Sequence, residues 1–132
     1  MPTKLEETDW ELLLRRIRAG KCTPFLGAGA DYGVLPLGSE IAQDWAKKFG
    51  YPLEDGENLA RVATYVADKH QDAMYRKDLL LENWFRNPKL PDYTRLDEPH
   101  ATLASLPLSM YMTTNYDSFM TKALAAAGKK PH

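Results

Sequence analysis

The sequence predicts an α/β fold, a parallel sheet with flanking helices. Three observations predict it. Cys22 to Leu26 and Leu108 to Thr114 are short β-prone apolar runs. The stretches before, between and after them space their apolar residues as helices do. Each run also leads straight into a small or polar loop, Gly27-Ala28-Gly29-Ala30 and Asn115-Tyr116-Asp117. Strands joined by helical crossovers pair in parallel, because a tight hairpin cannot return a strand to the same end of the sheet.

The elements follow in order. Thr8-Asp9-Trp10-Glu11 reads as a capping box, with Trp10, Leu13, Leu14 and Ile17 on one helical face and Gly20 as the stop. Thr23 to Leu26 reads as a buried strand, with Pro24 allowing an edge position. After the glycine loop, Ser39 is placed to cap a helix carrying Ile41, Trp45 and Phe49, ended near Gly50. Glu57 to about Phe85 is helical in two pieces, one striped by Leu59, Val62, Tyr65 and Val66, the other by Leu79, Leu80, Trp84 and Phe85. Asn87 to Glu98 holds Pro88 and Pro91 and reads as a connector. Pro99 suits the first turn of a helix through Leu106. Ser109 to Thr113 is the second strand, and Asp117 can cap a final helix from Ser118 to Ala127.

Composition narrows the function classes. The 132 residues suit one domain, with 44% hydrophobic residues to build a core. Seventeen basic residues face 18 acidic ones, for a formal charge of -1, so no basic surface for nucleic acid or membrane is expected. Cys22 is the single cysteine, which excludes an internal disulfide and a cysteine-rich zinc site within the chain. Met1 to Trp10 is polar, without a signal-peptide core, and no apolar run reaches membrane-spanning length. A cytoplasmic protein is the expectation.

Two loops carry candidate chemistry. In Phe25-Leu26-Gly27-Ala28-Gly29-Ala30-Asp31, small residues let the backbone approach a phosphate, and amides at a strand-to-helix turn bind its oxygens. The next glycine is Gly33, so the full G-x-G-x-x-G spacing is missing, and a tight turn that merely needs small residues also fits. Met112-Thr113-Thr114-Asn115-Tyr116-Asp117 puts polar groups at the end of a parallel strand, where open α/β sheets bind ligands. A strand end followed by a helix cap fits that segment too.

Taken together, a Gly-Ala-Gly loop and a Thr-Thr-Asn-Tyr-Asp loop 88 positions on (Gly27 to Asn115) resemble the sirtuin family, as do Pro99-His100-Ala101 and Leu103 to Leu106. The resemblance covers about residues 20 to 128 and is nearest to the sirtuin-like NAD hydrolases of bacterial antiviral defence proteins. It implies a Rossmann-like sheet and NAD as substrate, hydrolysed to nicotinamide and ADP-ribose. It also implies that Gly27, Ala28 and Gly29, with Ala30, contact the NAD phosphates and ribose. Asp31 stands where the family has a serine; a carboxylate there would repel a pyrophosphate, so it either accepts from a ribose hydroxyl or points outward. Pro36, Thr113 and Thr114 join this cofactor-binding set. Asn115 matches the asparagine beside the nicotinamide ribose, where a carboxamide can donate and accept and its dipole can stabilise oxocarbenium charge. Asp117 matches an acid that recognises the nicotinamide amide; capping would occupy one oxygen and leave the other for ligand.

The family's catalytic histidine follows the asparagine. His70 reads as solvated and His100 as structural, while His132 ends the chain with nothing to hold its ring. The catalytic histidine is therefore expected beyond residue 132. Two strands do not complete a parallel sheet, and Lys129-Lys130-Pro131-His132 resembles the approach to another strand, so the expectation is a single domain truncated at its C-terminal side that self-associates or continues into further domains. Sirtuin deacylases share Pro-Asp-Phe-Arg after the glycine loop, whereas this chain has Leu35-Pro36-Leu37-Gly38-Ser39, which favours hydrolysis. An NAD-dependent protein deacylase and a non-catalytic NAD or ADP-ribose sensor remain the alternatives.

Overall fold

In the computed structural model, which describes residues 4–86 and 89–132, the strands are the shortest elements. β1 (Phe25–Leu26) and β2 (Met112–Thr113) pair in parallel, with Phe25 opposite Met112 and Leu26 opposite Thr113. Both strands are shorter than expected, and they form a two-stranded sheet among the described residues. An α/β arrangement with a small parallel sheet is what the chain adopts. The expectation of buried strands holds only for Leu26, since Phe25 is 68% and Met112 50% exposed.

The chain divides into two units, one running up to Gly27 and resuming at Pro91, the other Ala28–Leu90. The first holds the sheet with α1 (Glu7–Arg18), α5 (Pro99–Ser105) and α6 (Phe119–Ala126). Leu26, Ala104, Leu108, Phe119, Met120, Ala123 and Leu124 are its buried apolar residues. Lys129 ties the end of α6 to the β2 approach, its Nζ donating to the Leu106 carbonyl at 2.5 Å and the Tyr111 hydroxyl at 2.9 Å. α1 departs from expectation twice. Its N-terminus is closed two residues earlier, at Glu6 rather than Thr8, where the Glu6 N–H donates to the Asp9 carboxylate at 3.0 Å, because that acid already sits three positions into the turn. Its apolar face is also uncovered: α1 buries no residue, and Trp10 is 51% exposed.

The second unit is helical. α2 (Gly38–Phe49) and α3 (Leu59–His70) bring Ile41, Ala42, Trp45, Phe49, Val62 and Val66 into one core with Leu79 of α4 (Tyr75–Leu80). Ser39 lies inside α2 rather than capping it; the Leu37 N–H donates to the Glu40 carboxylate at 2.6 Å, so Glu40 closes the turn instead. Gly50 ends α2 at φ +69°, a left-handed position that suits glycine. The helical stretch expected to Phe85 occurs in three pieces, because Leu81–Phe85 widens into a π-helical turn after α4. The first two residues of the expected connector, Asn87 and Pro88, lie outside the described residues. Among the described residues, no helix is long and apolar enough to cross a membrane.

Candidate functional site

The parallel ladder sets the site's frame. The Met112 N–H donates to the Pro24 carbonyl at 2.9 Å and the Thr114 N–H to the Leu26 carbonyl at 3.1 Å, so both strands end level. The chain then bends, because the Thr113 hydroxyl accepts from the Asn115 N–H at 3.0 Å, a serine/threonine turn that ends the strand. That bend delivers the Asn115 side chain to the residue after β1. Its Nδ2 donates to the Gly27 carbonyl at 3.0 Å, tying together the two loops across 88 positions of sequence. A carboxamide has two N–H groups and a carbonyl with two lone pairs. The bond to Gly27 fixes its plane and leaves the oxygen and one N–H for other partners.

Asp117 behaves as a cap from one residue further out than a standard N-cap. Its Oδ1 accepts from the Phe119 N–H at 2.8 Å, while Ser118 flanks α6. The Oδ2 atom is buried and has no hydrogen-bond partner among the described residues. An acceptor buried without a donor costs free energy, and a ligand donor would relieve that cost. Thr114 also donates its hydroxyl to Leu26 at 3.4 Å, so both threonines serve the strand end itself.

The glycines show no fold-imposed need at two positions. A Cβ at Gly27 or Gly29 would meet no described atom within 4 Å, and neither residue has a positive φ. A turn that merely needs small residues is therefore a poor explanation for them. Ala28–Asp31 forms one 3-10 turn, closed by the Tyr32 N–H to the Gly29 carbonyl at 3.3 Å. Asp31 is only 5% exposed, which removes the expectation that it points outward. Its carbonyl accepts from the Val34 and Leu35 N–H groups at 2.9 Å, folding the segment back before Pro36. Pro36 lines a pocket of about 310 Å³ with Tyr32, Gly33, Val34, Leu35 and Glu40.

The three histidines separate as expected. His70 is exposed and lies against Phe49 and Tyr75, with ring centroids at 5.3 and 4.2 Å. His132 is exposed. His100 is 1% exposed, and its Nδ1 sits 2.7 Å from the Glu98 carboxylate. Glu98 is the partner that sequence reading missed. The available signal was an acid directly before Pro99, at the N-cap of a helix whose second residue is histidine; its Oε2 accepts from the Ala101 N–H at 2.6 Å.

Fold and site together define a parallel-sheet α/β chain with its polar groups gathered where two strands end, a ligand-binding position in this class. Named relatives make the comparison more particular. The chain is 28% identical over 132 residues to a protein of Enterococcus faecium named NAD(+) hydrolase ThsA, matching 93% of this chain and 26% of that one. A protein of the same name from Cytobacillus dafuensis is 28% identical over 130 residues, matching 94% of this chain and 25% of its own length. One from Bacillus cereus (strain MSX-D12) is 29% identical over 107 residues, matching 80% and 21%. The chain thus spans about a quarter of the length of the curated relatives it matches. No protein-family model matches it. No solved structure matches it either.

Proposed function

We propose that this chain is the front part of a sirtuin-like, Rossmann-type domain that binds NAD and hydrolyses it to nicotinamide and ADP-ribose in a longer bacterial defence protein. The observation that carries the reading is the 3.0 Å bond from Asn115 Nδ2 to the Gly27 carbonyl. It fixes a neutral, two-way hydrogen-bonding group at the end of the first strand, beside a glycine that no packing demands. The relatives' printed name supplies the substrate class.

On this reading the amides of Gly27 to Ala30 meet the phosphates. The sirtuin resemblance assigns Asp31, Pro36, Thr113 and Thr114 to nucleotide binding, and Asp117, with its buried Oδ2, to the nicotinamide amide. Asn115 is the catalytic residue. As the glycosidic bond breaks, positive charge builds on the ribose, and a carbonyl dipole held in advance stabilises it without reorganising. The base or proton shuttle is a histidine further along the polypeptide.

The test separates binding from turnover. In the longer protein, Asn115→Ala lowers nicotinamide release by about a hundred- to a thousand-fold, while NAD affinity changes much less. Gly29→Val does the reverse, weakening affinity first, because its side chain occupies space the ligand needs rather than space the fold needs. Near-normal turnover in Asn115→Ala removes the reading. Dependence of turnover on an acylated peptide would instead favour a deacylase, and tight NAD binding without turnover a sensor.

A further inference from the structure

Glu98, His100 and Phe119 gather around Asp117, and of these four residues the NAD reading uses Asp117 alone. Glu98 divides its carboxylate between two tasks, one oxygen on the Ala101 N–H that opens α5 and the other 2.7 Å from His100 Nδ1. The side chains of His100 and Glu98 are 2% and 9% exposed, so this pair is almost wholly removed from water. A ring nitrogen of His100 and a carboxylate oxygen of Asp117 lie within 4.8 Å of each other. Phe119 completes the arrangement from both sides. Its N–H holds Asp117 Oδ1 at 2.8 Å, and its ring stands edge-on to the His100 ring, with centroids 5.8 Å apart.

A carboxylate held by one backbone N–H can still pivot about that bond. A buried histidine, itself oriented by an acid, limits the pivot electrostatically and sterically, as outer partners do for the ligands of metal sites. From this geometry we infer that His100 is a positioning residue: oriented by Glu98, it holds Asp117 so that Oδ2 presents to the carboxamide of nicotinamide. The inference rests on the NAD reading and adds the device that makes the site distinguish NAD from ADP-ribose, which lacks the nicotinamide group. His100 touches no reacting atom in this scheme.

Two measurements test it. The first compares affinities for NAD and for ADP-ribose in wild type, His100→Gln, Glu98→Gln, Asp117→Asn and the His100→Gln/Asp117→Asn pair. The expected result is an NAD affinity about tenfold lower in each single variant, ADP-ribose affinity within about twofold of wild type, and no further loss in the double variant. The second is a urea-unfolding cycle on the same four-state square, expected to show that the two substitutions are coupled. Equal losses for both nucleotides reduce His100 to a structural residue and overturn the inference. So does unchanged NAD affinity, or an uncoupled unfolding cycle. If His100→Gln does not fold, Glu98→Gln carries the comparison, since its amide oxygen still caps α5 while the charge is gone. Wild type that binds neither nucleotide, with the unfolding coupling intact, defeats the NAD reading and the nicotinamide role together. Wild type that binds both, with no coupling, defeats the positioning role alone.

Discussion

Asn115 shows what residue identity dictates at the site. Its donor to Gly27 is an N–H, which a carboxylate cannot supply. Asn115→Asp therefore sets an acceptor against an acceptor and should destabilise the chain by about 1 kcal/mol, whereas Asn115→Gln alters only reach; chemical denaturation of both variants checks the difference. The polar run from Thr113 to Asp117 was legible in sequence because strand-end polarity and a helix cap are local patterns. The bond between Asn115 and Gly27 was not, since no local pattern specifies which carbonyl a side chain meets across 88 positions. Nor could sequence show that Gly27 lacks a fold-imposed need, because φ and the space around Cβ are properties of the folded backbone. Asp31 is the opposite lesson: its sequence context left open whether it accepts from a ribose hydroxyl or points outward, and its burial removes the second.

Among the elements, α2 and α3 were the most legible, because Ile41, Trp45, Phe49, Val62 and Val66 repeat at helical spacing and all reach one core. Trp45 is 1% exposed, so Trp45→Ala should cost about 3–5 kcal/mol, read as a lowered denaturant midpoint. Capping residues were less legible. Several residues near each helix start can close the first turn, and acids three positions inside won over Thr8 and Ser39. The same helical unit carries a pH-sensitive link. The Arg61 guanidinium holds the Asp55 carboxyl below its ordinary 3.8, helped by the Tyr51 hydroxyl. A carboxyl depressed in the folded state contributes stability above its unfolded pKa and loses it as pH falls through the folded value. The stability difference between wild type and Asp55→Asn should thus be present at neutral pH, begin to fall as pH drops below about 4 and disappear only below the folded value, which lies lower still. It will be small, because the Arg61 side chain is 63% exposed.

For the whole molecule, parallel pairing was predictable from strand, crossover and strand, but sheet width was not. β-propensity reports a local preference, whereas strand length depends on what pairs alongside. The unit holding the sheet exposes Phe25, Met110 and Met112 on and beside the strands, and Trp10, Leu12 and Leu14 on α1. Clustered apolar surface and open strand edges favour association. Light scattering should therefore show concentration-dependent oligomers, reduced by the paired change Phe25→Lys and Met112→Lys. A monodisperse monomer at high concentration would show that this surface is not adhesive.

The ladder between Leu26 and Thr114 joins residues 88 positions apart, with a second unit, Ala28–Leu90, inserted between them. At synthesis rates of roughly 5–20 residues per second, Thr114 leaves the ribosome roughly 4–18 seconds after Leu26. Throughout that interval β1 has no partner, and the helical insert has time to fold on its own core. Closing so long a span as a floppy loop would cost about 4 kcal/mol in chain entropy, and a prefolded insert removes much of that freedom beforehand. A nascent chain carries the glycine loop long before it carries Asn115, so the bond from Asn115 to the Gly27 carbonyl cannot form on an unfinished polypeptide.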